Sequence, residues 1–368
     1  MTSFGVILRK HQGVGPGFDF LRLFLALSVV LWHAYLVTHT HLEGVEFRRG
    51  PVGLLVYFIV PAFFALSGFL VAGSMIRVGN LKVFLAFRAL RIAPALVAEI
   101  VLSALVLGPL VTDLRLGDYY SGSEFIGYFT NIIGLMKYRL PGVFIDNPFP
   151  RTVNSQLWTI PSELHCYLLM SLLILCRISQ KKTFLLFLFL AASVGISVLN
   201  ALGHRRFPTL DSQDLLILYF LSGVVFYLWK DFVPSNPLLA IFSIGLFVAA
   251  FYIPIELRPI IAPIPVAYAT IYLGMQRLPR VPILMGGDYS YGIYLYSFPL
   301  QQLVVWGFPA LRQWYLNFVL AAPLAIGFAM ISWHVLEKPA LGLRKRLAPK
   351  AVVPRPVLDE AAAPSPSV

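Results

Sequence analysis

The chain has 368 residues, of which 58% are hydrophobic and 12% charged, with a formal net charge of +12. A soluble domain carries about 25% charged residues; half that share leaves too little polar surface to keep a chain of this size in water, and the mean hydropathy of +0.77 agrees. The basic balance does not point to nucleic acid either, because the lysines and arginines fall in short segments between apolar runs, which is a membrane-topology signal.

A helix needs ~20 mostly apolar residues to cross a bilayer. Ten segments qualify: 18–38, 51–76, 92–111, 157–177, 183–202, 214–229, 237–255, 259–275, 289–309 and 315–336. The expected fold is an all-α, polytopic integral membrane bundle of about ten transmembrane helices, with one membrane domain over 1–348 and a disordered cytoplasmic tail over 349–368. Arg9 and Lys10 precede the first run as in a signal peptide. The run is long enough to span and no small-residue cleavage site follows, so it reads as a retained helix. Pro254, Pro259, Pro263 and Pro265 interrupt the later segments, and 125–136 reads as an interfacial or re-entrant piece. With the N-terminus inside, inner segments hold 18 lysines and arginines and outer loops 10, so both termini are expected in the cytoplasm of a cell (inner) membrane protein. Cys166 and Cys176 lie about 15 Å apart along one helix, beyond disulfide reach, and no cluster of metal ligands appears.

The long outer loop, 112–156, carries Tyr119, Tyr120, Phe125, Tyr128, Phe129, Tyr138 and Phe144. These rings would suit stacking on sugars, or equally an interfacial aromatic belt.

Ionisable groups inside a bilayer are costly and read first as functional candidates. Asp19, Arg22, Glu99 and Glu163 lie in or at the edge of spans, with His33 and His165. Arg22 and His33 share a helix face about 16 Å apart along the axis, and Asp19 lies one turn before Arg22, close enough to pair with it. His33 lies some 8 Å from the outer edge of a core ~30 Å thick, and Glu163 roughly 9 Å below the same edge. An imidazole and a carboxylate at one depth suit a general base and the group that orients it; a structural polar seam is the alternative. His165 faces away from Glu163. Arg88 and Arg91, one turn apart with Lys82 before them, make a fork for phosphates or a positive-inside signal that meets lipid headgroups. Glu99 would partner Arg22 or line a cavity.

These residues sit in segments that resemble the acyltransferase-3 family of membrane acyltransferases. FDFLRLFLALSVVLWH resembles its Arg-x10-His element (Arg22, His33), and PAFFALSGFLV its FF-x-LSGF run. FLAFRALRIAPAL resembles its Arg-x-x-Arg segment (Arg88, Arg91), and LWTIPSELHCYLL its Trp-Ser-x-x-x-Glu-Glu stretch (Trp158, Glu163). DYSYGIYLYSFPLQQ resembles the aromatic segment of its late helices (Tyr291, Tyr294), and SWHVLEKPALGLRKRL its Glu-Lys-Pro ending. The matches run in family order over about 18–347. The resemblance implies acyl transfer, commonly of acetyl, from cytoplasmic acyl-CoA as cosubstrate, with no permanently bound cofactor, to a hydroxyl of a carbohydrate or glycolipid acceptor. It makes His33 the catalytic histidine, Arg22 its support or the donor's, and Arg88 and Arg91 the donor's phosphate contacts. Three positions depart from the pattern: Leu164 replaces the second Glu, Thr159 the Ser after Trp, and Ser297 a frequent His. The expectation is the stand-alone form, without the soluble hydrolase-like domain that some members append.

The joint expectation is a stand-alone O-acyltransferase in which His33 deprotonates the acceptor hydroxyl or transiently carries the acyl group, while Glu163 orients the imidazole. No His-x4-Asp and no Gly-x-Ser-x-Gly occurs, which disfavours glycerolipid-type and serine-hydrolase chemistry. The rival from another class is a transporter or flippase for a glycan or lipid-linked precursor. A non-catalytic scaffold would leave His33 and Glu163 unexplained.

Overall fold

The computed structural model describes residues 2–178, 180–203, 210–279 and 286–347, and the expected tail at 349–368 lies outside them. Secondary structure there is helical apart from two isolated β-bridges, Ser3 with Pro234 and Thr112 with Val143. A helix, or in one case a bent pair, occupies each of the ten apolar segments. They are labelled α1 (Phe18–Thr38), α2 (Gly53–Val78), α3 (Leu81–Val111), α4 (Ser155–Leu175) and α5 (Lys182–Ala201), then α6 (Gln213–Leu228), α7 (Pro237–Tyr252), α8 (Ile255–Ile261 and Pro263–Gly274), α9 (Ser290–Gly307) and α10 (Trp314–Gly342). Six of these, α1 to α5 and α10, are long and apolar enough to cross a membrane, and the bent pair of α8 makes up to seven. Helices α6 and α7, of 16 residues each, are shorter apolar helices. Helix α9 carries Ser297, Gln301 and Gln302, all fully buried.

Two departures from the expected boundaries have local causes. Helix α3 starts at Leu81, not at 92, because the Asn80 side chain accepts a hydrogen bond from the Val83 amide (3.2 Å) and caps it. Arg88 and Arg91 therefore sit inside the helix. Pro263, which lacks an amide hydrogen, falls at the 42° bend in α8.

Side-chain contacts give the helix directions. Arg22 meets Asp288, the Val30 carbonyl accepts from Gln301 Nε2 (2.7 Å), and the His33 ring packs on Phe298, so α1 runs parallel to α9. The Tyr291 and Tyr296 hydroxyls donate to the Ile92 and Ala95 carbonyls of α3, which is parallel to α9 as well. Tyr296 on Ser332, and Asn317 on the Gln301 carbonyl, make α10 antiparallel to α9. Arg48, just before α2, pairs with Asp211, just before α6, and a Cβ on Gly73 late in α2 would meet the Tyr227 ring late in α6, so α2 and α6 run parallel; they approach backbone to backbone at Gly68 and Gly223.

The 112–156 loop is folded down, not displayed. The Tyr119 hydroxyl donates to the Ala104 carbonyl (2.7 Å), and Tyr119, Tyr128 and Phe144 are fully buried. These three rings are core, which corrects the sugar-stacking expectation for them. The stretch 125–136 forms short helices, Ser123–Tyr128 and Phe129–Ile133. The Asn147 amide donates to Gln302, and Gln302 donates back to the Phe149 and Thr152 carbonyls, so the loop is fastened over the C-terminal half of α9.

A Cβ at Gly68 would land on the Phe220 carbonyl, and one at Gly223 on the Ala65 carbonyl, whereas one at Gly245 meets nothing within 4 Å. Overpacking of this kind costs ~1–3 kcal/mol or more. Gly68→Leu and Gly223→Val are expected to lower the thermal unfolding temperature in detergent by several degrees, with Gly245→Leu unchanged. Equal behaviour of the three variants would contradict the close α2–α6 approach.

Candidate active site

A cavity of about 200 Å³ opens among α1, α2, α3, α4 and α9. Its polar wall carries Arg22, Arg88, Arg91, Ser67, Thr159, Glu163, Tyr167, Ser290, Tyr291 and Tyr294; its apolar wall includes Phe63, Phe64, Leu66, Leu70, Val71 and Phe220. The arginines come from the first part of α1 and the first half of α3, so the charged wall lies at one end of the bundle.

That end is organised by Asp288, two residues before α9. Its Oδ2 accepts from Arg22 Nη1 (2.7 Å) and from Arg91 Nη2 (2.8 Å), and its Oδ1 from the Ser290 hydroxyl (2.7 Å). Arg22 also holds Asp19 (2.7 Å), and Arg91 holds Glu337 of α10 (3.0 Å). The side chains of Arg22, Arg91 and Asp288 are 25%, 19% and 21% exposed and Glu337 1%, so these pairs lie in the shielded regime where losing one partner is costly. Burial by itself would raise the Asp288 pKa, but Arg91 and Arg22, with the Ser290 hydrogen bonds, hold it at about 2, below the ordinary 3.8.

Arg88 is differently placed. Its Nη2 donates to the Ser74 hydroxyl at 3.3 Å, its guanidinium stands over the Phe84 and Tyr167 rings, and its Nε is buried without a partner. Glu163 accepts a 2.5 Å hydrogen bond from the Tyr167 hydroxyl. Tyr294 donates to the Gln156 carbonyl (2.6 Å) and meets the Thr159 hydroxyl (2.7 Å), which fixes the start of α4 against α9.

The sequence candidates separate into two groups. Arg22, Arg88, Arg91, Glu163, Tyr291 and Tyr294 line the cavity. His33 does not: it lies eleven residues beyond Arg22 on α1, 6% exposed, edge-on to Phe298 at 5.1 Å, with Nδ1 unpartnered. The expected meeting of His33 with Glu163 is not made by a hydrogen bond or ion pair, since Glu163 is engaged with Tyr167. Helix α4 begins at Ser155, two residues before the expected start at 157, and its first five residues form a 3-10 turn. Glu163 therefore lies roughly 14–15 Å along α4 from its first residue and not ~9 Å, most of the increase coming from the earlier start and about 2 Å from the tighter turn. Glu99 partners neither Arg22 nor the cavity; it accepts from Ser103 (2.7 Å) and Asn154, with Oε2 unpartnered. Lys82 is exposed and off the cavity wall. Trp158 packs against the core, and its carbonyl accepts from Gln213. His165 is exposed, facing away from Glu163 as expected. Asp288, Glu337 and Tyr167 were not singled out from sequence. Asp288 and Glu337 fall just outside the ninth and tenth apolar segments, so a search confined to spans passes them by, although both stand in the segments DYSYG and LEKP.

The acyltransferase domain profile of the acyltransferase-3 family matches residues 16–336. An O-acetyl transferase of Shigella phage Sf6 is 27% identical over 338 residues, covering 87% of this chain and 94% of that protein. Nodulation protein 10 of Rhizobium leguminosarum bv. viciae is 28% identical over 369 residues, covering 91% of this chain and 96% of its own. No solved structure matches significantly.

Removing Asp288 would leave two shielded guanidinium groups short of a counter-charge, at a cost toward the lower end of ~3–5 kcal/mol given their partial exposure. Asp288→Ala is expected to lower the unfolding temperature markedly. Because the Asp288 pKa is depressed, its contribution is present in full above pH 3.8 and is lost as pH falls through about 2. The stability gap between parent and variant should therefore be constant from neutral pH down to about pH 4 and close only below it. A gap that closed near pH 6 would contradict the assignment.

Proposed function

Since the chain belongs to the acyltransferase-3 family, we propose that it is a multi-pass inner-membrane O-acyltransferase that moves an acetyl group from cytoplasmic acetyl-CoA to a hydroxyl of a surface or exported carbohydrate. The observation that carries this reading is the cavity with three arginines at one end and a carboxylate and phenols deeper in. A donor combining phosphates with an uncharged thioester arm suits such a polarity gradient. The O-acetyl transferase among the relatives supports acetyl as the group moved.

The topology in this proposal has ten crossings with both ends cytoplasmic. It is supported by α1 and α3 running parallel to α9, α2 parallel to α6, and α9 antiparallel to α10, as alternation through ten helices requires. The count of 18 inner against 10 outer basic residues then supports a cytosolic position for the arginine end of the cavity.

In the proposed reaction, Arg88 receives the donor's phosphates while the pantetheine arm extends into the cavity past Glu163 and Tyr294. The acceptor reaches His33 from outside, beneath the loop fastened by Asn147 and Gln302. His33 takes the hydroxyl proton, the oxygen attacks the thioester carbonyl, the C–S bond breaks, and the proton passes to the departing thiolate to give CoA. The unpartnered Nδ1 of a buried imidazole supports this use. Glu163 and Tyr167 act at the donor end, and Arg22 fixes the inner half of the His33 helix.

Purified protein in detergent, given acetyl-CoA and acceptor glycan, is expected to release free CoA thiol. General-base help is worth ~10²–10⁴ in rate, so His33→Ala should lower that release by such a factor at unchanged yield of folded protein. In cells, deleting the protein should strip its glycan of the mass of one acetyl group. A His33→Ala protein that releases CoA at the parental rate would refute the role of His33; glycan movement without CoA release would favour a transporter.

A further inference from the structure

Resting on that reading, we propose that Arg88 and Arg91 divide the work: Arg88 contacts the donor's phosphates, and Arg91 is a positioning residue that Asp288 and Glu337 hold away from anions. Spacing alone makes the two arginines twins, one helical turn apart. Their partners make them opposites.

Arg91 gives one Nη to Asp288 (2.8 Å) and the other to Glu337 (3.0 Å), and its guanidinium stands over the Tyr291 ring. Arg22, which shares Asp288, has Asp19 as well. Two cations thus share three carboxylates. A phosphate approaching Arg91 would have to displace a shielded carboxylate and would meet like charge. Arg88 has no carboxylate within ion-pair distance among the described residues. Its polar contacts amount to one hydroxyl at the long end of the hydrogen-bond range, and its buried Nε lacks an acceptor. A guanidinium on a cavity wall with donors to spare is suited to a phosphate, which accepts short, charge-assisted hydrogen bonds. Arg91 is equally suited to fastening α3 to α9 and α10, which sets the height of Tyr291 and Tyr294 on the cavity wall.

The test compares Arg88→Gln, Arg91→Gln, Asp288→Asn and Glu337→Gln in phosphatidylcholine nanodiscs, with acetyl-CoA and inorganic pyrophosphate as probes. Arg88→Gln should weaken both probes by about ten- to a hundredfold, the range for losing a hydrogen bond between charged groups, and should raise the donor KM far more than it lowers kcat. Arg91→Gln should do the reverse: pyrophosphate affinity near the parental value, with the loss falling on kcat. Neutralising Asp288 or Glu337 uncovers Arg91, so either variant should bind pyrophosphate several-fold more tightly, a gain that a purely structural role does not produce. If Asp288→Asn does not fold, Glu337→Gln carries this arm.

Arg91→Gln losing pyrophosphate as Arg88→Gln does, or no gain from uncovering Arg91, would overturn the division. Adding phosphatidylglycerol should leave donor affinity unchanged; competition that disappears in Arg88→Gln would assign Arg88 to lipid headgroups and overturn its donor role. A parent that binds pyrophosphate in this pattern but not acetyl-CoA would sink the donor reading above while the two arginines still differed.

Discussion

A guanidinium drawn into a membrane bundle must find its counter-charge inside the protein, because neither lipid nor distant water can supply it. Here that demand converges on Asp288, whose one carboxylate oxygen serves both Arg22 and Arg91. Asp288 stands just before α9, Arg22 near the start of α1, Arg91 in the first half of α3 and Glu337 late in α10. Satisfying the charges therefore brings four helices together at one end. Heights follow from the rise of 1.5 Å per residue: Tyr291 and Tyr294 lie within two turns of Asp288, and His33 about 16 Å from Arg22. The ion pairs do more than offset their own burial, since they set the axial register of the candidate chemistry.

From that anchored end the bundle grades outward. Charged groups give way to Glu163, Tyr167 and Tyr294, then to Phe63, which lines the cavity and also packs against the cluster of Ala26, Val30 and Ile293. Beyond it lie His33 and Phe298, under Phe149 of the long loop, whose ring is 6.1 Å from that of Phe298. The half away from the arginines uses uncharged amides as its fasteners: Gln301 on the Val30 carbonyl, Asn317 on the Gln301 carbonyl, and Asn147 on Gln302. Buried amides whose NH2 groups donate across to neighbouring helices and loops hold them in register at lower desolvation cost than ions. The division of polar chemistry, ions at one end and amides at the other, suits the proposed pairing of a phosphate-bearing donor with an uncharged acceptor.

The helices were legible in the sequence because a bilayer leaves one option for the backbone, and apolar length reads it directly. Arg22 with Asp19, and the arginines at 88 and 91, were legible because helical spacing sets which residues share a face. Three things were not. Whether Arg91 faces an anion or a carboxylate depends on residues roughly 200 and 250 positions away, which spacing within α3 cannot reveal. The position of Glu163 turned on where α4 begins: the helix starts at Ser155, two residues early and with a 3-10 turn, and Glu163 engages Tyr167 on the arginine-lined cavity and not the imidazole. The loop aromatics looked like a display surface because composition does not distinguish a ring that meets solvent from one, such as Tyr119, whose hydroxyl reaches back to a helix carbonyl. Asp288 escaped for a related reason: it lies just outside the span, and burial there comes from neighbouring helices, not from its own.

The distance between the arginine end and His33 has a chemical consequence. Beside a general base, water competes with the acceptor hydroxyl for the thioester, so an enzyme that draws donor and acceptor from opposite aqueous phases must keep the two approaches from joining. A continuous polar channel from Arg88 to His33 would fail that requirement. The structure instead sets the Phe63 side chain, packed near the Tyr294 ring on one side and α1 on the other, between the cavity and the next turns of the His33 helix. On the proposed reading, the acetyl end of the donor must displace or pass this ring to reach the acceptor hydroxyl, and the arm that does so fills the space behind it. Exclusion of water then comes from the substrate itself, as part of assembling the reaction. The ion pairs at Asp288 suit that motion, because a fixed inner end lets the ring yield without the arginine wall moving with it.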